Sequence, residues 1–582
     1  MRQDVVLGMV GAGGDGVIAA GDTLLSSAAL DGLYARILKS FGPQIRGGES
    51  SCRLRVSAEK IHSAGGMLDV LVLLNWDVYP RFKYELPVKE SGIILYESAG
   101  NHKPEDIKPT GNWKRKPIPV PFTEIAVKTT GKQLAKNLVA LGIVSELYNI
   151  APEKIKGGII RRFSKKGEEV VQSNLAAFNA GRSWVKENLT DVPVKRLSYT
   201  PSAPKMIING DHAAAAGAIF AGCDFFGGYP ITPASEVMEF MTRELPKYNA
   251  TFVQAEDEIA AIGMCVGASF AGAKPFTATS GPGMSLKTEI IGLATMAELP
   301  LVIVNVQRGG PSTGMPTKSE QSDLLQAVFS AHGDAPRPVL AAPDIAENFT
   351  ATVEAFNIAE EYQTPVIMLT DAFLGQGVAA TDKIDTSNLK LKYRRVAQPG
   401  KNGEFKRFLI TDDFISPVAI PGTPGMQYLA SGIEHNEKGS PMSDVDIHHQ
   451  MNRKRVEKLN PLKKRADLFL RYGNPKARWG VLSWGGSAGA VIDAVSLGKE
   501  IGVDFKALIP ILINPVPEKA YEEFFETLDG LLVVEQSYTA QLYRFLKGEI
   551  KFPNNVKTFT KSGGSIFMPD EIVEKVKEMQ NG

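Results

Sequence analysis

Runs of apolar residues closed by glycine turns recur along this chain, and stretches of helical spacing separate them. Val5 to Val10 leads into Gly11-Ala12-Gly13-Gly14-Asp15-Gly16 and then a helical pattern over Val17 to Leu30. Asp69 to Leu74 and Ile93 to Tyr96 are nearly all apolar, as strands buried on both faces are. Lys136 to Tyr148 and Ser173 to Glu187 read as helices. Further on, Phe276 to Thr279, Leu301 to Val306, Pro365 to Leu369 and Gly530 to Glu535 read as buried strands, Val253-Gln254 as a short one, and Met568 to Met579 as a last helix. Such alternation predicts an α/β protein of parallel, doubly wound sheets.

Punctuation divides the chain. A polar, proline-marked joint, Pro193 to Pro201, ends a first region over 1–195. A second α/β region runs over 205–383. Residues 384–478 are irregular, with polar and basic stretches, and read as a connector. A third α/β region occupies 479–582 and opens with Trp479-Gly480-Val481-Leu482. Three parallel-sheet domains and a connector are expected.

Composition narrows the function. The 65 basic and 64 acidic residues leave a net charge of +1, so nothing in bulk charge points to nucleic acid or a membrane surface. No apolar run approaches the roughly 20 residues of a membrane span, and no signal-peptide core precedes the first glycine turn, so a cytoplasmic protein is expected. Three scattered cysteines, Cys52, Cys223 and Cys265, form no CxxC and cannot alone ligate a four-cysteine cluster. His435, Glu437, His448 and His449 read as a solvated loop rather than a zinc site.

Several segments carry candidate chemistry. Gly11 to Gly16 has the spacing of a dinucleotide fingerprint, but no suitable acidic residue follows a second strand, and a tight turn is the better reading. Arg46, flanked by Gly47-Gly48, reads either as a phosphate contact or as an exposed loop arginine. In Tyr229-Pro230-Ile231-Thr232-Pro233 two prolines fix the backbone around Thr232, whose hydroxyl either faces a substrate or caps a helix. Glu256-Asp257-Glu258 places three carboxylates at a helix start, where the dipole favours anions. Arg308, in Gln307-Arg308-Gly309-Gly310-Pro311-Ser312-Thr313-Gly314, follows a strand and either clamps a carboxylate or is paired within the chain.

The carboxylate-led helix followed by Phe276-Thr277-Ala278-Thr279-Ser280-Gly281-Pro282-Gly283 resembles the ring-gripping domain of thiamine-diphosphate enzymes. There a carboxylate protonates the aminopyrimidine so that its 4′-imine can remove the C2 proton. Glu258 is the candidate, because Ala260-Ala261, Gly263 and Gly267 follow at helical spacing; Glu256 is the fallback. The metal–diphosphate motif of those enzymes begins with Gly-Asp-Gly and needs a later asparagine. Gly14-Asp15-Gly16 is followed only by Phe41-Gly42-Pro43-Gln44 where that asparagine belongs, so the diphosphate half of the site is expected on a partner.

These segments, with Ser40 to Gly48, Trp484-Gly485-Gly486-Ser487-Ala488-Gly489 and Val534-Glu535-Gln536-Ser537-Tyr538-Thr539-Ala540-Gln541, together resemble the alpha subunit of 2-oxoacid:ferredoxin oxidoreductases, with the gamma domain fused in front. Within that family the chain looks most like the 2-oxoglutarate enzymes. The resemblance implies a gamma domain, a pyrimidine-binding domain and a transketolase C-terminal-like domain. It implies oxidative decarboxylation of 2-oxoglutarate to succinyl-CoA and CO2 with electrons passed to ferredoxin, or the reverse. It implies thiamine diphosphate shared with a beta subunit that carries Mg2+ and a [4Fe–4S] cluster, coenzyme A as co-substrate, and a dimer of alpha–beta heterodimers. Tyr229, Pro230, Ile231, Thr232, Glu258, Ser280 and Gly281 would hold the cofactor, Thr232 and Arg308 the substrate, and Arg46 and Gly47 coenzyme A; no metal ligand is expected here. Lys318, Arg337, Arg308 or a partner residue would hold the distal carboxylate. Pyruvate or another oxoacid as substrate, a transketolase-like carbon transferase and a non-catalytic subunit are the alternatives.

Overall fold

The computed structural model describes residues 3–42, 48–100, 104–398 and 404–582. Their strands form three sheets flanked by helices, an α/β fold. Two compact units separate: Met1–Ile208 with Gly377–Ile384 and Ser565–Ile572, and Asn209–Gln376 with Asp385–Gly564 and Val573–Gly582.

In the first unit the eight-stranded sheet is mixed, where a parallel sheet was expected. Asp4–Gly11, Leu68–Leu73, Val88–Glu97 and Ile118–Val120 are parallel neighbours. Tyr34–Phe41 and Ser50–Ser57 form an antiparallel pair beside Asp4–Gly11, and Val378–Thr381 adds antiparallel to Tyr34–Phe41. The strand Ser50–Ser57 hides two buried arginines. Arg53 Nε donates to the Ala64 carbonyl at 3.1 Å, and Arg55 Nε donates to Asp4 Oδ2 at 2.7 Å. Satisfied in this way, charged side chains sit where apolar ones would have marked a strand.

The glycine turn after Asp4–Gly11 closes on itself. Asp15 Oδ2 accepts from the Ala12 N–H at 2.8 Å, and Asp15 Oδ1 lies 2.7 Å from Lys136 Nζ. Gly16, at φ 74°, then starts the helix Val17–Leu30. Asp31 caps the end of that helix and accepts a 2.7 Å bond from the Tyr199 hydroxyl, a structural role.

The second unit holds the other two sheets. The seven-stranded one runs Leu512–Asn514, Val339–Ala341, Pro365–Asp371, Leu301–Gln307, Pro275–Thr279, Phe225–Gly228, Thr251–Gln254. It is parallel except for Leu512–Asn514. The five-stranded sheet runs Phe469–Gly473, Lys506–Pro510, Trp479–Ser483, Gly530–Glu535, Val556–Thr560, parallel except for its first strand.

The connector is more ordered than its composition suggests. It contains the helix Val445–Glu457, whose buried residues are Met451, Lys454 and Arg455. Lys454 Nζ lies 2.6 Å from Glu298 Oε1 and Lys458 Nζ 3.0 Å from Glu298 Oε2, all three side chains at most 3% exposed. The histidine-bearing stretch is not simply a solvated loop either. His435 is buried, its ring centroid 3.9 Å from that of Phe408, while His448 remains exposed and bonds Glu434.

Candidate active site

Five adjacent strands of the seven-stranded sheet end at one edge, and the expected site segments leave from those ends. Parallel register pairs Thr279 with Asn305 and Gln307 with Asp371, so the residues that follow emerge side by side. Carboxyl ends of parallel strands are where α/β folds build sites, because each strand turns there into a helix N-terminus.

Glu256, Asp257 and Glu258 divide their work. Glu256 is exposed. Asp257 is the N-cap of the helix Glu258–Phe270, its Oδ1 accepting from the Ala260 N–H at 2.7 Å. Glu258 is turned inward and 7% exposed. It reaches the helix Gly281–Met296 at Gly283, where a Cβ would stand 2.8 Å from Glu258 Oε1. Thr279 Oγ1 would stand nearer still, so glycine at 283 is a requirement of close approach by both side chains. Beneath it Lys287, fully buried, donates to the Glu258 carbonyl at 3.1 Å and to Thr277 Oγ1 at 3.3 Å. Burial pulls its ammonium down to about 8. Ser280, at the N-cap of the Gly281 helix, is fully buried with an Oγ that finds no partner.

Arg308 is 6% exposed, and its Nη1 donates to the Thr232 carbonyl at 2.5 Å, while its Nε has no partner. The Thr232–Pro233 peptide is cis. The following helix spans Ser235–Glu244 with Ala234 at its N-cap, so Thr232 does not cap it. Gly309 N–H donates to the Lys318 carbonyl at 2.8 Å and Met315 N–H to the Gly309 carbonyl at 2.7 Å, folding the Gly309–Lys318 loop onto itself.

A cavity of about 450 Å3 opens between the Gly281 helix, the Arg308 loop, Asp323 and the Ser537–Gln541 segment. Arg308 and Gly281 line it; Tyr229, Pro230, Ile231 and Glu258 do not. Tyr229 is exposed. Of the expected distal-carboxylate residues, Arg337 is fully buried outside this lining, and burial pulls it down to about 10. Arg46 and Gly47 lie outside the described residues.

Amide side chains hold the five-stranded sheet to this edge. Gln321 Nε2 donates to the Trp484 carbonyl at 2.6 Å and Gln321 Oε1 accepts from the Gln536 N–H at 2.8 Å. Gln541 Nε2 donates to the Ser322 carbonyl at 2.6 Å, and the Gly486 N–H donates to Asp371 Oδ2 at 2.7 Å. The Trp484 and Val534–Gln541 segments thus position one wall of the cavity. Sequence reasoning missed Lys287, Asn305, Gln321 and Asp323. Only Lys287 left a trace: it shares the apolar face of its helix with Met284 and Ile291.

Among the described residues no group of three or more His, Cys, Asp or Glu could hold a metal ion, and no helix is long and apolar enough to cross a membrane. All three cysteines are buried. Burial pushes the thiols of Cys52 and Cys265 up to about 12.

The edge of parallel strands brings the inward Glu258 carboxylate and the glycine-opened helix Gly281–Met296 side by side. The family model described as pyruvate flavodoxin/ferredoxin oxidoreductase, thiamine diphosphate-binding, matches residues 216–454, and that described as pyruvate ferredoxin/flavodoxin oxidoreductase matches 6–184. The 2-oxoacid:ferredoxin oxidoreductase subunit alpha of a Sulfolobus species is 30% identical over 100% of this chain and 98% of its own length. The 2-oxoglutarate oxidoreductase subunit KorA of Mycobacterium tuberculosis is 31% identical over 98% and 90%. The solved 2-oxoglutarate:ferredoxin oxidoreductase of Magnetococcus marinus, with 2-oxoglutarate, coenzyme A and succinyl-CoA bound, superposes with a TM-score of 0.91 at 36% identity, over 99% of this chain and 100% of that one. The chain belongs to the alpha subunits of the 2-oxoacid:ferredoxin oxidoreductases, in the form with a gamma-type domain fused in front.

Proposed function

We propose that the chain is the alpha subunit of a CoA-acylating 2-oxoglutarate:ferredoxin oxidoreductase in the cytoplasm, converting 2-oxoglutarate and coenzyme A to succinyl-CoA and CO2 while two electrons leave for ferredoxin, or running the reverse. The observation that carries this reading is the end-to-end superposition on an enzyme solved with 2-oxoglutarate, coenzyme A and succinyl-CoA. A beta subunit supplies the diphosphate–Mg2+ site and the [4Fe–4S] cluster, in a dimer of heterodimers. The domain division at 1–195, 205–383, 384–478 and 479–582 belongs to the same reading.

The residues present fit the ring half of thiamine diphosphate. Glu258 is a buried carboxylate, Gly283 leaves it room, and Ser280 offers an unpartnered buried hydroxyl. When bound, the cofactor supplies a carbanion at C2 and a sink for the electrons released by decarboxylation. Glu258 holds the proton at the ring nitrogen N1′. Tyr229, Pro230, Ile231, Ser280 and Gly281 shape the ring pocket. Arg308, fixed by the Thr232 carbonyl, orients the oxoacid carboxylate together with the Thr232 hydroxyl, a contribution of positioning and electrostatics. Arg46 and Gly47 are the candidate residues for coenzyme A. Glu258→Gln in the assembled enzyme is expected to keep the fold and lower kcat by about 10²- to 10⁴-fold. Near-normal turnover would move the role to another group, Glu256 first.

A further inference from the structure

We infer that Asp323 is a positioning residue for the oxoacid clamp: held by Asn305 and facing Arg308 in the cavity, its carboxyl exchanges a proton and so sets the charge that Arg308 presents to an anionic substrate. The inference rests on the proposed role of Arg308.

Three elements surround Asp323. From the strand Leu301–Gln307, Asn305 Nδ2 donates to its Oδ2 at 3.0 Å, and Gln307 Oε1 accepts from its backbone N–H at 3.1 Å. From the head of the helix Gly281–Met296, Gly281 packs against it without a side chain. A Cβ there would stand 3.1 and 3.4 Å from the two carboxyl oxygens. From its own segment comes Glu320, which also lines the cavity. The charged groups that act on Asp323 are Glu320, which repels its ionised form, and Arg308, which attracts it. The Ser537–Gln541 wall and the Gly281–Ser285 turn bring no charge. Among the described residues Asp323 is in turn the counter-charge that acts on Arg308, whose Nε is buried and unpartnered.

Burial first, then Glu320, raise the Asp323 carboxyl to about 6, against the lowering effects of Asn305 and Arg308. Both protonation states are therefore within reach near neutral pH. With Asp323 ionised, its negative charge opposes that of Arg308 across the cavity. With Asp323 protonated, the guanidinium charge is left for a bound carboxylate. By linkage, a substrate carboxylate at Arg308 favours proton uptake by Asp323, and loss of that proton weakens binding. The KM for the oxoacid should rise as pH climbs through the Asp323 ionisation. The sign follows from the raised direction of the shift: the favourable state lies on the acid side.

The test is the KM and kcat for 2-oxoglutarate in viologen reduction by the assembled enzyme, between about pH 5.5 and about 8.5, where the substrate is fully ionised. The wild type is expected to show KM rising about tenfold, with kcat changing less. Asp323→Asn, always neutral, is expected to hold KM within about twofold of its low-pH value. Asp323→Glu, which retains a titrating carboxyl, is expected to keep the rise with a shifted midpoint, and it carries the test if the asparagine variant does not fold. Arg308→Ala is measured in parallel. If it leaves KM unchanged, the clamp itself is wrong and the inference falls with it. If it raises KM while Asp323→Asn keeps the wild-type slope, or Asp323→Glu loses it, the clamp stands and the role of Asp323 is overturned.

Discussion

Three adjacent carboxylates meet three different fates at the head of one helix. Glu256 faces solvent, Asp257 caps, and Glu258 turns into the fold. The sequence could place this cluster at a helix start and favour Glu258 from the small residues that follow, since both depend on local spacing. It could not see what Glu258 leans on, because Gly283 and Lys287 lie a strand and a turn further along and approach only through the fold. Asp323 was invisible for the same reason: its environment comes from a neighbouring strand and a second helix. At Arg308 the buried guanidinium has one bond to a carbonyl and an idle Nε. Arg308→Ala is expected to raise the KM for the oxoacid by about 10- to 100-fold, the cost of a lost charge-assisted bond of about 1.5–3 kcal/mol. Steady-state kinetics of the assembled enzyme check this, and an unchanged KM would make Arg308 structural.

At the scale of elements, the apolar strands and the helices were legible, with observed bounds as far as Glu168 from an expected Ser173 and Val88 from an expected Ile93. The antiparallel pair Tyr34–Phe41 and Ser50–Ser57 was not, because Arg53 and Arg55 stand at buried positions and break the apolar pattern. The helix Val445–Glu457 was hidden likewise: its buried face is largely cationic, and Glu298 answers it. Burial alone would raise the Glu298 carboxyl, but Lys454, Lys458 and Arg407 outweigh it and hold the group well below the usual carboxylate range. A depressed carboxylate stabilises the fold above its unfolded pKa, and that contribution is lost as pH falls below the ordinary glutamate value. Glu298→Gln strands buried cations and is expected to cost about 3–5 kcal/mol at neutral pH. Chemical denaturation measures it; a loss under about 1 kcal/mol would mean the cluster is dispensable. Gly283→Ala puts a methyl against Thr279 Oγ1 and the Glu258 side chain. It is expected to cost about 1–3 kcal/mol of stability and to lower kcat as well, whereas a stability loss with normal kcat would mean that Thr279, and not Glu258, gives way to the methyl.

Across the whole molecule, sheets and their helices carry the family's architecture, and the sequence revealed this through the order of its motifs. The exchange of strands between regions was not legible. Leu512–Asn514, from the last region, completes the seven-stranded sheet through pairing with Val339–Ala341, a contact that no local pattern encodes. The Trp484 and Val534–Gln541 segments, read as family marks, are the places where amide side chains tie two sheets together. Under the proposed function this chain grips the thiamine ring and a beta subunit holds the diphosphate.

Calorimetric titration of thiamine diphosphate with Mg2+ into the purified chain, and then into the chain assembled with its beta subunit, tests that division most directly. Weak or no heat is expected from the chain alone, and saturable, tight binding in the assembly. Tight, stoichiometric binding by the chain alone would contradict it.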